Sequence, residues 1–340
     1  MDKPSLAERM AVRPVASDVW AVPVPIPDNP LRYTVCYALE APGGLLLLDP
    51  GWDGEATYDA LVAGLATFGA TVRDVRGVIV THFHPDHHGL AGRVRAESGA
   101  WVALHEADAR YFGNDKAAVD AMVRVNEEWL RAAGASVEDD PGIADAADEV
   151  ARRILLARPD FHPLDGDRLP GAGRLTVVHT PGHTPGHICL HDPDRRLLFG
   201  GDHLLPRISP NVGWHPMSSA NPLGDFLASL ERVARLDATT VLPAHEWPFT
   251  DPAARVKELV RHHDQRLAEV RALLAEGPRT AWDLAQGLTW SRRWEALGHH
   301  LRRAALGEAL AHLVLLLAAG EVTRSVGPPQ VWSLRKEEGS

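Results

Sequence analysis

Residues 81–89 read THFHPDHHG, so four histidines and one aspartate fall within nine positions, directly after the apolar run Val78-Ile79-Val80. A packed core would have to desolvate each of these imidazoles. The stretch is therefore either a polar loop that happens to be His-rich or a set of ligands. His82 and His84, two residues apart at the exit of a strand, can turn their side chains onto one point. Asp86 and His87 follow where a helix should begin, beside that point but offset from it. Three further groups lie far off in sequence: His183 in TPGHTPGH, Asp202 in FGGDHLL and His245 in LPAHEWPF. Each follows an apolar strand-like run with Gly or Pro close by, and loops at strand ends are where functional groups collect. Five histidines and two aspartates suit two divalent metal ions, and the imidazole–carboxylate mixture favours zinc while admitting iron or manganese. One ion would take His82, His84 and His183, and the other Asp86, His87 and His245. Asp202 can bridge the two, because a carboxylate offers two oxygens and one imidazole cannot span two ions.

The elements that must position these groups follow from the hydrophobic pattern. Strands are expected at Val19–Val24, Thr34–Leu39, Leu45–Leu48, Val78–Val80, Trp101–Leu104, Leu175–His179, His187–His191, Leu197–Phe199 and Thr240–Leu242. Leu45–Leu48 is uninterrupted apolar sequence ending in Asp49-Pro50-Gly51, as in a strand buried on both faces. Helices are expected at Glu55–Phe68, with Tyr58, Leu61, Leu65 and Phe68 along one side, and at His87–Glu97, Leu223–Leu236 and Pro252–Ala275. Residues from about 110 to 160 break this rhythm. Val119, Met122, Trp129 and Leu130 recur at helical spacing there, and acidic residues cluster around Glu138–Asp148. We read a helical insertion packed on the main body, serving either as extra core or as a lid or substrate wall.

Gly277-Pro278 marks a boundary between a catalytic domain, 1–276, and a small C-terminal domain, 277–340. Beyond it Thr280 can cap a helix Ala281–Gly287. A helix Leu306–Ala319 ends at Gly320, and a strand pair, Glu321–Val326 and Val331–Leu334, completes a winged-helix-like pattern. That shape alone does not imply nucleic-acid binding. Leu306–Ala319 is apolar enough to serve either the small domain's core or a homodimer contact.

Cys36 and Cys189 form no CxxC pair, which excludes a cysteine-based zinc knuckle and leaves buried, reduced thiols. The net charge of −10 argues against a broad nucleic-acid surface. From Ala254 onward 13 Lys+Arg stand against 10 Asp+Glu, leaving that part near +3 and the remainder near −13. MDKPSLAERM lacks the apolar stretch of a secretory signal, and Leu313–Ala319 is too short to cross a bilayer. A cytoplasmic protein without a membrane partner is expected.

The HxHxDH stretch His82–His87, followed in order by His183, Asp202 and His245, resembles the metallo-β-lactamase-fold hydrolases over roughly residues 15–250. Asp49, in LLLLDPG, falls at that family's early strand-end aspartate. The resemblance implies an α/β (α+β) fold, a four-layer αββα sandwich with the metals at one edge of its two sheets. It also implies that Asp49 orients a ligand histidine from behind and that Asp86 and Asp202 take part in catalysis. A carboxylate at Asp202 resembles the glyoxalase-II-like thioesterases and the phosphodiesterases of the family, and argues against true β-lactamases. His84, where the flavodiiron proteins carry a glutamate, argues against oxygen reduction. From His262-His263-Asp264-Gln265-Arg266 onward, roughly residues 255–335 resemble more loosely the lactamase-like proteins with a winged-helix-like tail. Some of those are endoribonucleases, and others cleave acyl-carrier thioesters.

The expected function is a binuclear-metal-dependent hydrolase that attacks with a metal-bridging hydroxide. No GxSxG elbow offers a protein nucleophile. A thiolate leaving group needs no proton donor, which favours an acyl thioester or related ester, small or carrier-bound. Phosphodiester or RNA cleavage is the alternative, resting on the tail and opposed by the acidic charge. A metal-stabilised effector-binding protein without catalysis is the third reading. Among the other histidines, His88 is expected to face solvent and His187 and His203 to support the site or the structure. His105 is a candidate substrate contact, and His262-His263 and His299-His300 are expected on solvated helix faces.

Overall fold

The computed structural model describes residues 4–110, 116–135 and 157–336; the acidic cluster Glu138–Asp148 lies outside them. The chain separates into two units, the first comprising 1–112, 155–210 and 229–256 and the second 113–154, 211–228 and 257–340.

The first unit is built on two sheets. One has the order β1 (Arg13–Ala16), β2 (Val19–Pro25), β3 (Tyr33–Ala41), β4 (Gly44–Leu48), β5 (Val75–Ile79), β6 (Trp101–Ala103). Its first four strands form an antiparallel meander and its last three run parallel. The other sheet contains β7 (Thr176–His179), β8 (Ile188–Asp192), β9 (Leu197–Gly201), β10 (Thr240–Pro243) and β11 (Phe249–Thr250), in the order β11-β10-β9-β8-β7. Among the described residues, β9 and β10 are the one parallel pair there.

Alternation along the strands joins the two sheets. Side chains at every second position share a face, and Tyr33, Val35, Tyr37 and Leu39 of β3 meet Val177, Ile188, Leu190, Phe199 and Leu242 in one buried cluster. Tyr37 meets Phe199 edge-on at 5.3 Å and donates its hydroxyl to the Pro243 carbonyl at 2.8 Å, so the ring is buried with its polar end satisfied. Leu46 and Leu48 face this cluster while Leu45 and Leu47 are buried on the opposite face, which explains the unbroken apolar run. On that outer side the helix Glu55–Ala66 packs against β2. A Cβ at Gly64 would lie 2.4 Å from Val22 Cγ1, so helix and strand approach as only glycine permits. The mixed α/β architecture is the one expected.

The helix expected at His87–Glu97 is instead two pieces, Pro85–His88 and Ala91–Ser98. The break lies at Gly89-Leu90, where the Leu90 N–H donates to the Gly51 carbonyl at 2.9 Å. A Cβ at Gly89 would sit 2.3 Å from Asp53 N, so the chain is pinned against the Trp52-Asp53 backbone at that point. The short strands β1 and β11 and the helix Leu6–Arg9 carry too little apolar pattern to be read from sequence.

The second unit has its own core. The helix Lys116–Ala133, from the insertion, places Trp129, Leu130 and Ala133 in one cluster with Leu267, Val270 and Leu274 of the helix Pro252–Ala275. Leu284 of Ala281–Gly287 and Leu306, Leu310 and Leu313 of His299–Ala318 complete it. The described part of the insertion therefore serves as core, and so does the apolar helix around Leu306. Thr280 caps Ala281–Gly287 as expected, accepting from the Asp283 N–H at 3.1 Å while the Asp283 carboxylate accepts from the Thr280 N–H at 3.2 Å. A small sheet follows the order β12 (Arg279–Thr280), β14 (Val331–Leu334), β13 (Val322–Arg324). His299 and His300 are exposed, but the expectation of a solvated His263 is overturned, for it is buried. Residues 263, 267, 270 and 274 share one helical stripe, which carries His263 into the core beside Leu267. No helix among the described residues is long and apolar enough to cross a membrane.

Candidate metal centre

The seven candidate ligands lie on the segments that follow the C-terminal ends of strands of the first unit. His82 and His84 follow β5, His183 follows β7, Asp202 follows β9 and His245 follows β10. His84 caps the helix Pro85–His88, which supplies Asp86 and His87 from its first turn. The structure brings all seven together. His82 Nε2 lies 2.9 Å from His84 Nδ1, and His183 Nε2 lies 3.2 Å and 3.0 Å from those two atoms. Beside this trio, Asp86 Oδ2 is 3.5 Å from His87 Nε2 and 3.3 Å from His245 Nε2. Asp202 reaches both groups, with Oδ2 3.6 Å from His183 Nε2 and 3.7 Å from His87 Nε2, and Oδ1 3.3 Å from His245 Nε2. Three ligand sets of metal-binding compactness result: His82-His84-His183, His82-His87-Asp202 and Asp86-His87-His245.

Partners behind the imidazoles decide which nitrogen each presents. Asp49 accepts from the Thr81 N–H and hydroxyl, both at 2.8 Å, and from His87 Nδ1 at 2.9 Å. Because the Thr81 hydroxyl donates to Asp49, its oxygen accepts from His82 Nδ1 at 3.0 Å. His245 Nδ1 donates to the Tyr33 carbonyl at 3.0 Å. These tautomers follow from the hydrogen-bond network, and each leaves Nε2 facing the cluster, as ligand histidines do. His187 supports Asp202 instead: its Nε2 accepts from the Asp202 N–H at 3.1 Å, and its Nδ1 donates to Thr180 Oγ1 at 2.8 Å.

The electrostatics suit a cation. His87 Nε2, His245 Nε2 and Asp202 Oδ1 are buried and meet one another and Asp86 only as ion pairs at 3.3–3.7 Å without well-formed hydrogen bonds, an arrangement that a shared cation would satisfy better. Burial disfavours the charged form of His87, yet Asp86, Asp202 and Asp49 outweigh it and push the imidazole up to about 9. Burial likewise opposes ionisation of Asp202, but His245, His87 and His183 hold it well below the usual carboxylate range. The ionised carboxylates already offer negative oxygens to a cation, and His87 would give up its proton to join them, leaving an imidazole–carboxylate donor set into which divalent ions fit.

Two groups went unread in the sequence. Asp108 is buried in the short helix Glu106–Ala109 and accepts from Phe83 N–H at 3.0 Å, Thr184 Oγ1 at 2.7 Å and Gly186 N–H at 2.6 Å. Desolvation pushes its carboxyl up to about 7 against those bonds. Glu246, directly after His245, accepts from Arg207 N–H at 3.1 Å and Ile208 N–H at 3.3 Å, tying the loop beyond Asp202 to the end of β10. Neither residue sits in a recognisable metal-ligand spacing, and in HEADAR an aspartate in a helix's first turn reads as an ordinary helix start. The expectation that His88 faces solvent is overturned: it is wholly buried, and that burial lowers it to about 4. The two-piece helix turns it inward. His203 is also buried, and His105 accepts from Ala107 N–H at 3.1 Å with its ring stacked 4.2 Å from His179.

Residues 29–245 match the family model described as the metallo-beta-lactamase superfamily. The chain belongs to that superfamily. Residues 267–337 match a second model, the metallo-beta-lactamase-like C-terminal domain. A probable metallo-hydrolase of Bacillus subtilis, YqjP, is 30% identical over 277 residues, covering 80% of this chain and 85% of its own. The crystal structure of a metallo-beta-lactamase family protein from Thermus thermophilus, TTHA1429, superposes with a TM-score of 0.79 at 34% identity. That alignment covers 95% of this chain and all of the other. The human acyl-coenzyme A thioesterase MBLAC2 is 33% identical over 174 residues, 49% of this chain and 54% of that protein. A superfamily metallo-hydrolase with a divalent-metal site is the activity class these likenesses carry.

Proposed function

We propose that the chain is a binuclear-metal-dependent hydrolase of acyl thioesters or related esters, on a small or carrier-borne acyl group. One observation carries the reading: Asp202 lies within reach of both groups, its Oδ2 near His183 of one and His87 of the other and its Oδ1 near His245. His82, His84 and His183 would hold one ion and Asp86, His87 and His245 the other, with zinc favoured and iron or manganese admitted by the same donors. When bound, such a pair supplies a water acidified toward pKa about 7 and Lewis-acid polarisation of the scissile carbonyl. The chain's own residues set this up. Asp49 and Thr81 fix the His87 and His82 tautomers, the Tyr33 carbonyl fixes His245, and His187 holds the Asp202 backbone. Asp86 and Asp202 are kept ionised by the neighbouring imidazoles after burial is overcome, so neither requires deprotonation before taking up a cation.

The acyl substrate is favoured over RNA by the net charge of −10, which opposes a long polyanionic chain, and by a thiolate's ability to leave without a proton donor. The partial likeness to an acyl-coenzyme A thioesterase points the same way. The C-terminal excess of about +3 keeps phosphodiester or RNA cleavage as the competing reading. Initial rates on an acyl-CoA thioester and on bis(p-nitrophenyl) phosphate, with metal content measured, separate the two. We expect thiol release to dominate. Phosphodiester turnover alone would transfer the assignment to the competing class, and full metal loading with no turnover of either would support a non-catalytic metal-stabilised effector-binding protein.

A further inference from the structure

Asp108 belongs to neither ligand group, yet it touches the loops that carry three of the ligands. Its Oδ2 accepts from the backbone N–H of Phe83, the residue between His82 and His84, and from the hydroxyl of Thr184, the residue after His183. Its Oδ1 accepts from the N–H of Gly186 farther along the second loop. Those loops leave different sheets, one after β5 and the other after β7. A single carboxylate thus fastens them together from a site with no solvent exposure. The fit is close: a Cβ on Gly186 would stand 2.7 Å from the Asp108 carboxylate.

We propose that Asp108 is a positioning residue that sets the spacing of the His82-His84-His183 half of the metal centre. The inference rests on the two-ion reading above. An ion held by bonds of about 2.0–2.1 Å would keep its ligand nitrogens roughly 3 Å or slightly more apart. The three nitrogens already stand 2.9–3.2 Å from one another, so the two loops are held near ligating distance. The other half is oriented differently, through Asp49 behind His87 and the Tyr33 carbonyl behind His245. Loss of Asp108 should therefore weaken one ion far more than the other.

The test is metal affinity at each half, read by chelator competition and by the absorption spectrum of the cobalt(II)-loaded protein. His84→Ala and His245→Ala serve as markers for the two halves. Asp108→Asn, which keeps one oxygen acceptor, and Thr184→Val, which removes one donor with little change of shape, are the working variants; Asp108→Ala is the more severe. The three should weaken the ion assigned by His84→Ala by about 10- to 100-fold, the usual effect of losing a ligand's outer partner. Thr184→Val should be mildest, and the ion assigned by His245→Ala should be unchanged. Should Asp108→Ala fail to fold, the other two variants decide. Wild-type affinity for both ions in Asp108→Asn and Thr184→Val would overturn the proposal, as would equal weakening of both halves. A wild-type chain that binds no ion, or a His84→Ala variant with unchanged stoichiometry, would contradict the two-ion reading itself, and this assignment with it.

Discussion

Asp49 Oδ2 lies 2.9 Å from His87 Nδ1, and that contact decides which nitrogen of His87 is available to an ion. With Nδ1–H committed to Asp49, Nε2 is left 3.5 Å from Asp86 Oδ2 and 3.7 Å from Asp202 Oδ2. Asp49→Asn places an amide where three hydrogen-bond donors already converge. We expect metal affinity to fall by about 10- to 100-fold, measured by chelator competition. Unaltered affinity would show that the His87 tautomer is set in some other way.

Asp202 reaches both ligand groups, so its loss should cost more than the loss of an outer partner. Asp202→Ala is expected to bind fewer ions per chain and to lose more than the about 100-fold in thiol release typical of an outer-partner mutation. Atomic-absorption analysis and initial rates check both. Two ions retained at full rate would remove the bridging role.

Stability of the second unit should depend on pH through a buried pair. His312 Nε2 lies 3.2 Å from His263 Nδ1, and burial lowers His312 to about 4, with Arg266 and His262 adding to the effect and the Glu308 carbonyl and Glu269 opposing it. A histidine whose folded pKa is depressed costs stability as pH falls below its unfolded value. Between pH 6.5 and about 4 the loss is about 1.4 kcal/mol per pH unit for each such group. His312→Gln should therefore be less stable than wild type at neutral pH, with the difference narrowing by that amount per unit as pH falls. Urea midpoints at several pH values measure it, and a constant gap would contradict it. Glu308, pushed up to about 7 by burial, acts in the opposite sense: its contribution is lost as pH rises from about 4.5 to 7.

The sandwich should be intolerant where helix and strand touch. Gly64→Val forces a side chain into a gap where even a Cβ would stand 2.4 Å from Val22 Cγ1, and overpacking of this kind costs about 1–3 kcal/mol or more. Leu48→Ala, in the cluster between the sheets, should cost about 2–5 kcal/mol. Denaturant midpoints test both; losses below about 0.5 kcal/mol would mean that neither site is packed as described.

That these side chains converge was legible because their types and spacing carry chemistry. His82-x-His84 alone is a weak signal; it gains weight because Asp86 and His87 follow it and His183, Asp202 and His245 each come after a strand with a clear apolar signature. The supporting groups were less visible. Asp108 and Thr81 act through hydrogen bonds to residues distant in sequence, which leave no local pattern. His88 misled because the helix carrying it stops at Gly89, where a long-range bond from Leu90 to Gly51 outweighs local helical continuity. His263 misled because His262 beside it suggested a polar face, while the stripe running through Leu267, Val270 and Leu274 governed its burial. The insertion's helix was visible from periodicity, but which core it joined depended on contacts with Leu267 and Leu306.

The most direct measurement of the central claim is thiol release from an acyl-CoA thioester by metal-stripped protein titrated with zinc. We expect no turnover without metal, with the rate rising on loading and saturating at two ions per chain. Full activity in the stripped protein, or saturation at two ions without hydrolysis of any acyl thioester, would contradict it.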